Sequence, residues 1–389
     1  MEPLRSDDPA RIGGYTLRGR IGSGGMGRVY LGESPAGQLV AVKVIKSSVL
    51  DAETRSRFVL EAENLKKVFG PRVAAFAGAD PLAEQPWLAV DFVQGPDLLR
   101  HVRDHGPLPL AETASLGALL AEGLTSVHQA QLLHRDLKPQ NILLGPDGPK
   151  VIDFGLAVLA ERRTTLTATG VVVGSVLCMP PEQAEGNHHL TPAADVYALG
   201  AVLLFAATGH YPYDGENWLA VASRIGDPHQ APDLTGLPHE LTPVVSSMLA
   251  FEAADRPSLA EVTGEFVTVL IESGLTARQA RQRLIERTAP HLDGRLVPPP
   301  GPIAEYEPTL ADLASQPAEP LVKQSVAPRE SADLPTAAPT PPTPPVPAVH
   351  GRSAGGRTPD AATAHAIAEN LRAAYARDAA FAPARGGAR

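Results

Sequence analysis

The stretch that decides the fold is His134-Arg135-Asp136-Leu137-Lys138-Pro139-Gln140-Asn141, followed shortly by Asp153-Phe154-Gly155. An aspartate in such a stretch can take a proton from a hydroxyl group. An asparagine and a second aspartate can hold metal ions on a nucleotide. A lone His-Arg-Asp would recur by chance in many proteins, but the spacing from Asp136 to Asn141 matches a complete catalytic-loop pattern. The two motifs together therefore predict a site where a hydroxyl group meets a nucleotide.

Composition limits the classes of protein to which this chain can belong. Its 389 residues suit two or three domains, and 43% hydrophobic residues are enough for a sizeable core. The net charge of −9 argues against nucleic acid or an anionic membrane as the main partner. Cys178 is the one cysteine, which excludes an intramolecular disulfide and a zinc site built on cysteines, and it favours a reducing compartment.

The sequence carries no recognisable export or membrane signal. Residues Met1 to Asp8 include acids and no apolar run, unlike a signal peptide. The longest apolar stretch, Ala198 to Thr208, is about half the length needed to cross a bilayer and is more typical of a buried helix. We therefore expect a cytoplasmic protein without a membrane span.

Proline separates a folded part from a tail. Of 39 prolines, 17 lie in the last 99 residues, which hold three aromatic residues and cannot bury enough apolar surface to offset chain entropy. We predict that the folded part ends near residue 290, with a helical extension over 274–300 and a disordered Pro/Ala-rich tail over 301–389. A helical stripe predicts a short surface or docking helix over 363–377, formed by Ile367, Leu371, Ala374 and Tyr375.

The folded part changes from strand-rich to helix-rich along the chain. The short segments with β-branched or aromatic residues are Tyr15 to Ile21, Val29 to Gly32, Leu39 to Ile45 and Trp87 to Val90. The helical patterns cover about Ala52 to Phe69, then Ala111 to Gln129 and Ala194 to Thr208. This order predicts an α+β fold with two lobes. The predicted bounds are 1–14 for an N-terminal extension, 15–93 for a small β-rich N-lobe and 94–273 for a large helical C-lobe.

A glycine-rich segment lies near the start of the strand-rich part. Gly22-Ser23-Gly24-Gly25-Met26-Gly27 fits G-x-G-x-x-G, in which glycines let the backbone approach phosphates closely. The motif alone is a weak signal, because dinucleotide-binding folds use it as well. In those folds a helix follows the motif. Here another strand pattern follows, which favours a nucleotide site of a different kind.

Lys43 is the next chemically informative residue. It lies in the apolar strand pattern Val40-Ala41-Val42-Lys43, where an unpaired ammonium would be costly to bury. Nucleotide phosphates and a carboxylate would serve as its partners. We expect that carboxylate in the following helical segment, and Glu61 is favoured over Glu63 because it shares a face with Phe58 and Leu65.

On these motifs the chain resembles the bacterial eukaryotic-like, or Hanks-type, serine/threonine protein kinases of actinobacteria. The resemblance covers about Tyr15 to Ser273 and implies the bilobal protein-kinase fold. It also implies transfer of the γ-phosphate of ATP to Ser or Thr hydroxyls on proteins, with Mg²⁺, or alternatively Mn²⁺, as the metal. Protein substrates are the implied partners, and the chain itself is another if it autophosphorylates in a transient dimer.

The resemblance assigns roles to matching residues. It implies that Asp136 accepts the substrate proton, that Lys138 meets the γ-phosphate, and that Lys43 and Glu61 form the phosphate-binding pair. Asn141 and Asp153 would hold the metal ions. The ATP-binding positions that it implies are Ile21, Gly22, Ser23, Gly24, Gly25, Met26, Gly27, Val29, Ala41, Lys43, Asp91 and Val93. Asp97 is a further candidate, for the ribose.

Regulation and stability follow from the resemblance in the same way. Arg135 would pair with a phosphate on the segment from Asp153 to Glu182, where Thr167 and Thr169 are the expected phosphorylation sites. Asp195 would brace the catalytic-loop backbone. Glu182 and Arg256 would form a buried ion pair.

The chain departs from the family pattern ahead of Glu182. It reads Gly174-Ser175-Val176-Leu177-Cys178-Met179-Pro180-Pro181, so a cysteine stands where the family usually has tyrosine. Two alternatives to an active protein kinase stay open at this point. One is a pseudokinase that acts as a binding scaffold, and the other is a small-molecule kinase of related fold.

Overall fold

The computed structural model describes residues 1–23, 27–46, 52–153, 176–187 and 189–289. Several predictions fall outside these residues: the glycine-rich positions Gly24, Gly25 and Met26, the phosphorylation sites Thr167 and Thr169, and the tail over 301–389 with its helix at 363–377. The side chain of Glu61 also lies outside the described part.

The small lobe is built on an antiparallel sheet with the strand order β1-β2-β3-β4-β6-β5. Its strands are β1 (Arg11–Ile12), β2 (Tyr15–Ser23), β3 (Gly27–Glu33), β4 (Leu39–Ile45), β5 (Phe76–Asp80) and β6 (Trp87–Asp91). Val40 and Val42 of β4 have no exposed surface. Because side chains alternate along a strand, Ala41 and Lys43 point to the opposite face of the sheet.

Helix α1 (Ala52–Leu65) contributes an apolar stripe to the core cluster that also contains Ile45, Ala79 and Leu88 of the sheet. Phe58, Ala62 and Leu65 are buried at i, i+4 and i+7, which is the periodicity of one helix face. The sequence pattern predicted a helix reaching about Phe69, but the structure ends it at Leu65. Gly70 and Pro71 follow closely, and residues of this kind favour a turn over further helix.

The large lobe is mainly helical. Its helices are α2 (Leu98–His105), α3 (Leu110–Gln129), α4 (Pro181–Ala184), α5 (Pro192–Thr208), α6 (Trp218–Ile225), α7 (Thr242–Met248), α8 (Leu259–Glu272) and α9 (Ala277–Thr288). Every residue of α5 from Ala194 to Ala207 is buried. A helix that is apolar all round belongs in the middle of a core, and helix α3 packs against α5, α8 and α9. The predicted α+β architecture is confirmed.

A two-stranded hairpin, β7 (Ile142–Gly145) and β8 (Gly148–Val151), was not predicted. It follows a 3₁₀ turn over Pro139–Asn141 and leads directly to Asp153. The Ile152 N–H donates to the carbonyl of Asn141 at 2.9 Å. The hairpin therefore folds the chain back so that Asn141 and Asp153, twelve positions apart in sequence, lie together.

Both ends of the described chain pack onto the lobes. Ile12 of β1 is buried, and Leu4 packs against the same apolar cluster, so the predicted extension over 1–14 belongs to the small-lobe core. Helix α9 lies within the predicted extension over 274–300 and buries Ala280 and Leu284 completely. Among the described residues, the helices are all too short or too polar to span a lipid bilayer.

Candidate active site

The catalytic-loop backbone is held by Asp195 of α5. Its carboxylate accepts hydrogen bonds from the backbone N–H groups of His134 at 2.8 Å and Arg135 at 2.9 Å, and it contacts His128 Nε2 at 2.7 Å. Burial opposes ionisation of Asp195, but the bond from His128 and the nearby His134 outweigh it and lower its pKa. This is the brace that the family resemblance implied. Arg135 has a φ of 65°, a left-handed conformation that such contacts can hold.

Asp136 projects from this braced loop into a partly open position. Its Oδ2 accepts a hydrogen bond from Lys138 Nζ at 2.9 Å, and about 30% of its side chain is exposed. Asn141 Nδ2 donates to the backbone carbonyl of Asp136 at 2.8 Å. The carboxylate of Asp136 is therefore placed by its own loop and remains accessible to a substrate.

Lys43 and Asp153 join the two lobes. Lys43 Nζ lies 2.9 Å from Asp153 Oδ2, and the side chains are 18% and 40% exposed respectively. Burial opposes ionisation of Asp153, but the charge and hydrogen bond of Lys43, with contributions from His134 and Lys138, lower its pKa. Asp153 has a φ of 58°, which is uncommon for a residue other than glycine. The sequence prediction did not include this contact, since it assigned the carboxylate next to Lys43 to Glu61 of α1.

Strand register brings the predicted nucleotide-binding residues of the small lobe together. Val29 is opposite Gly22 of β2 on one side and Lys43 of β4 on the other. Gly27 begins β3, and a Cβ at this position would collide with the carbonyl oxygen of Val44. This glycine is thus required by strand packing as well as by the predicted approach to phosphate.

Asp91 and Val93, two of the ATP-binding positions that the resemblance implied, lie at the end of β6 and just after it. The Asp91 N–H donates to the carbonyl of Ala75 at 2.8 Å, so a ligand contact at this residue would fall to its carbonyl oxygen. Val93 is buried against the β7–β8 hairpin at Gly145. Asp97 serves as the N-cap of α2, with Oδ1 accepting from the Arg100 N–H at 2.9 Å. Its predicted ribose contact stays a prediction.

The donor set fits a divalent cation that is shared with phosphates. The amide nitrogen of Asn141 is used by the Asp136 carbonyl, which leaves Oδ1 for another partner, and Lys43 occupies Oδ2 of Asp153, which leaves Oδ1. Mg²⁺ is commonly held by one or two such side chains plus phosphate oxygens and water. Within the described ranges no cluster of three or more His, Cys, Asp or Glu side chains could hold a metal alone.

Lys43, Asp136, Asn141 and Asp153 thus lie in one cleft between a strand-rich lobe and a helical lobe. The model of the protein kinase domain matches residues 15–266 of this chain. The chain belongs to the protein kinase family. Members of this family use ATP and a divalent metal, and their substrates are proteins.

Curated relatives are bacterial serine/threonine kinases. The chain is 41% identical over 297 residues to the serine/threonine-protein kinase AfsK of Streptomyces coelicolor, covering 76% of this chain and 37% of the relative. It is 42% identical over 254 residues to AfsK of Streptomyces griseus, covering 65% of this chain and 31% of the relative. For the serine/threonine-protein kinase PknF of Mycobacterium tuberculosis the identity is 37% over 260 residues, covering 62% and 53%.

These matches confirm the resemblance to bacterial serine/threonine kinases. The chain spans about a third of the length of the AfsK proteins and about half of PknF. The functions of the unmatched regions of these relatives belong to those proteins and are not assigned to this chain.

The kinase also contains the predicted buried ion pair. Arg256 donates to both carboxylate oxygens of Glu182 at 2.8 Å, and its other N–H groups donate to the carbonyls of Ala193, Ala250 and Phe251. The guanidinium also lies 5.0 Å from the ring centroid of Tyr197. This arrangement ties α4 to α5 and to the turn before Arg256.

Cys178, which replaces the family's usual tyrosine, is buried in the large-lobe core. Burial raises the pKa of its thiol, so the group is neutral at physiological pH. The structure therefore gives this residue a packing position below the catalytic loop.

Proposed function

We propose that this chain is an ATP-dependent serine/threonine protein kinase that transfers the γ-phosphate of ATP to Ser or Thr hydroxyls on proteins. The observation that carries the proposal is the convergence of four groups on one cleft. Lys43 and Asp153 are 2.9 Å apart, and Asn141 is bonded to the backbone of Asp136. The scaffold alternative would predict loss of at least one of these residues, and all of them are present.

Asp136 acts as the proton acceptor in this proposal. Its carboxylate is partly exposed, and Asp195 holds the loop on which it stands. A carboxylate so placed can orient the substrate hydroxyl and take its proton as the bond to phosphorus forms. Lys138, whose ammonium lies 2.9 Å from Asp136 Oδ2, places positive charge where negative charge develops on the transferring group.

The remaining roles concern the nucleotide. Lys43 would bind its phosphates, with Glu61 as the supporting carboxylate, and Asn141 and Asp153 would hold the metal. When bound, Mg²⁺, or alternatively Mn²⁺, would neutralise charge on the phosphates. The adenine would meet the backbone at Asp91 and Val93. Residues lining the cleft from the small lobe would be Ile21, Gly22, Ser23, Gly24, Gly25, Met26, Gly27, Val29 and Ala41.

Phosphorylation of the chain by itself is the proposed route of activation. Arg135 directly precedes Asp136, so a phosphate bound by its guanidinium would order the neighbouring segment next to the proton acceptor. Thr167 and Thr169 are the proposed sites. A second copy of the chain in a transient dimer is the proposed partner for this step, and a cytoplasmic location suits the composition.

The proposed catalytic unit comprises the kinase domain over 15–273, with lobes over 15–93 and 94–273. The segments around it are the extension over 1–14, the helical extension over 274–300 and the tail over 301–389. Truncation after residue 300 keeps α9, whose Ala280 and Leu284 are buried. We therefore expect it to leave catalysis largely intact. Truncation after Thr276 should destabilise the chain, because it removes α9 and exposes the surface of α3 against which α9 packs.

The test is incubation of the purified full chain with γ-labelled ATP and Mg²⁺, followed by mapping of the labelled residues. We expect label on serine or threonine, including Thr167 and Thr169, and none with the Asp136→Asn variant. Replacing both threonines by alanine should lower the rate toward an added protein substrate. A folded parent chain that binds ATP and labels neither itself nor general protein substrates would favour the scaffold alternative. Label confined to tyrosine would contradict the specificity.

A further inference from the structure

The N-terminal segment lies against the strands that flank the glycine-rich loop. The backbones of Glu2 and Arg20 exchange two hydrogen bonds of 2.9 Å, which adds this segment to the edge of β2. Leu4 packs on the cluster that contains Ile12 and Tyr30. The segment from Glu2 to Asp8 is therefore ordered on the small lobe rather than free of it.

Asp8 occupies the centre of a compact polar cluster. Its side chain has no exposed surface, and its two oxygens accept hydrogen bonds from Arg20 Nε and Nη2, both at 2.6 Å. The Tyr30 hydroxyl donates at 2.6 Å, the Arg5 N–H at 2.8 Å, and Arg28 Nη1 at 3.3 Å. The bidentate bond from Arg20 lowers the pKa of Asp8, so the carboxylate is charged throughout the physiological range.

Strand register places this cluster on the opposite face of β2 and β3 from Val29. Arg20 of β2 is opposite Tyr30 of β3, and residues in such a pair share one face of the sheet. Arg28, two residues before Tyr30, shares that face, whereas Val29 points to the other, where the predicted nucleotide residues lie. Arg20 is two positions before Gly22, and Arg28 directly follows Gly27. The carboxylate of Asp8 thus bridges β2 and β3 close to Gly22 and Gly27.

The backbone pairing is irregular at this point. The register between β2 and β3 shifts between Arg20 and Gly22, which is a bulge where ladder bonds are interrupted. Side-chain bonds across the bulge can supply the connection that the ladder lacks. Arg20 is 6% exposed, and without Asp8 it would keep only a 3.4 Å contact with the mostly exposed Asp7.

We propose that Asp8 is a positioning residue for nucleotide binding, which holds β2 to β3 and so fixes the spacing of Gly22 and Gly27, the described ends of the glycine-rich segment. This inference rests on the proposed kinase function. Asp8 acts through Arg20, Arg28 and Tyr30 and touches no reacting atom. Its charge, and not only its volume, is needed, because the guanidinium of Arg20 has to be neutralised.

The experiment compares Asp8→Asn with the matched control Asp7→Asn in the full chain. Asp7 is an adjacent acid that lies 3.2 to 3.4 Å from the same arginines, and its side chain is 59% exposed. Three quantities are measured: ATP affinity by calorimetry with Mg²⁺, the separate KM for ATP and kcat, and amide hydrogen exchange in β2 and β3. Tyr30→Phe is a second, milder variant that removes a hydrogen bond and no charge.

We expect Asp8→Asn to weaken ATP binding and raise the KM for ATP by about tenfold, since small displacements of binding groups have effects of this order. The kcat at saturating ATP should change less, and exchange in β2 and β3 should rise. Asp7→Asn should stay within about twofold of the parent, and Tyr30→Phe should move about threefold in the direction of Asp8→Asn.

Parent-like ATP affinity and parent-like exchange in both Asp8→Asn and Tyr30→Phe would overturn the inference. A lower melting temperature with unchanged ATP affinity would also overturn it, since that is the signature of a brace for stability alone. If the parent chain binds ATP but transfers no phosphate, the proposed function fails, while affinity and exchange still decide the role of Asp8. If the parent binds no ATP, the positioning role of Asp8 in nucleotide binding is overturned together with that function.

Discussion

Two ion pairs in this kinase have the same charges and opposite surroundings. Arg256 has no exposed side-chain surface, and all five of its N–H groups have acceptors, two of them on Glu182. Lys43 and Asp153 are joined by a 2.9 Å bond in a cleft that water reaches. A fully satisfied and buried pair holds helices in place, whereas a partly exposed pair with a spare carboxylate oxygen can exchange partners with a ligand.

Asp136 of the catalytic loop and Asp195 of α5, which holds that loop, repeat this contrast. Asp195 is buried and holds the backbone of His134 and Arg135, while Asp136 stays partly exposed next to Lys138. The residues that fix the geometry are thus enclosed, and those that would contact substrates are open. Substitutions should accordingly separate into losses of rate and losses of stability.

Asp136→Asn should have the largest effect, on rate alone. An amide cannot accept the substrate proton, and removal of a general base costs about 10³-fold. Because the side chain is partly exposed, the melting temperature and the ATP affinity should be close to those of the parent. Phosphoryl transfer from labelled ATP and calorimetry measure the two quantities. Asp214→Asn, at an exposed pair with Arg224, is the control; a variant at position 136 that keeps the parent rate would remove Asp136 from its proposed role.

Lys43→Met should have the second-largest effect, again on the rate of phosphoryl transfer. The substitution removes the charge that would face the phosphates and should lower kcat/KM by about 10²-fold. Stability should change little, since the pair with Asp153 is partly exposed. Lys67→Met, at an exposed lysine bonded to Asn64, is the matched control. Equal losses in the two variants would assign phosphate binding to other residues.

Arg256→Ala should show the reverse pattern, with a large loss of stability. It leaves Glu182 and three backbone carbonyls without their donor, and breaking such a pair costs about 3–5 kcal/mol of unfolding free energy. Arg224→Ala, at the exposed pair with Asp214, should cost less than about 1 kcal/mol. Denaturant unfolding of both variants measures the difference. Similar costs at the two sites would contradict the assignment of their roles by burial.

His101 extends the comparison to a buried group that has no carboxylate bonded to its ring. Burial lowers its pKa to about 4, with contributions from His105 and Arg287, while Asp104 acts in the opposite direction. Below about pH 6.5 the unfolded chain binds a proton here that the folded chain does not take up until about pH 4. As the pH is lowered through that window, this site should therefore reduce the unfolding free energy by about 1.4 kcal/mol for each pH unit.

Denaturant unfolding of the parent and of His101→Asn at pH 7, 6 and 5 measures this contribution. The parent should lose about 2 kcal/mol more than the variant between pH 7 and pH 5. Parallel curves would mean that His101 is protonated in the folded chain as readily as in the unfolded one.

Much of the fold could be predicted from local patterns. The helix predicted over Ala194 to Thr208 is observed as Pro192–Thr208, because a long apolar run can only be satisfied inside the core. The strand around Lys43 was predicted because β-branched residues alternate there. The two-residue strand β1 was missed, since so short a segment has no periodicity.

The site was predictable by residue and less so by contact. The spacing of Asp136, Asn141 and Asp153 identified them, but the bond between Lys43 and Asp153 joins positions 110 residues apart, and no local pattern contains it. Asp8 was the clearest omission, because beside Asp7 it resembles a solvated acid. The residues before Tyr15 show no helical or strand pattern, and this was the one feature that could have drawn attention to the segment around Asp8.

The sequence by itself determined the chemistry of this kinase: which acids, lysines and glycines are present, and at what spacing along the chain. That information is local, because spacing and periodicity act over a few residues. Tertiary structure alone decided which charges are enclosed and which stay open, including the burial of Asp8 against β2 and β3. Burial depends on surfaces from distant parts of the chain, and it sets whether a charge stabilises the fold or remains available to a ligand.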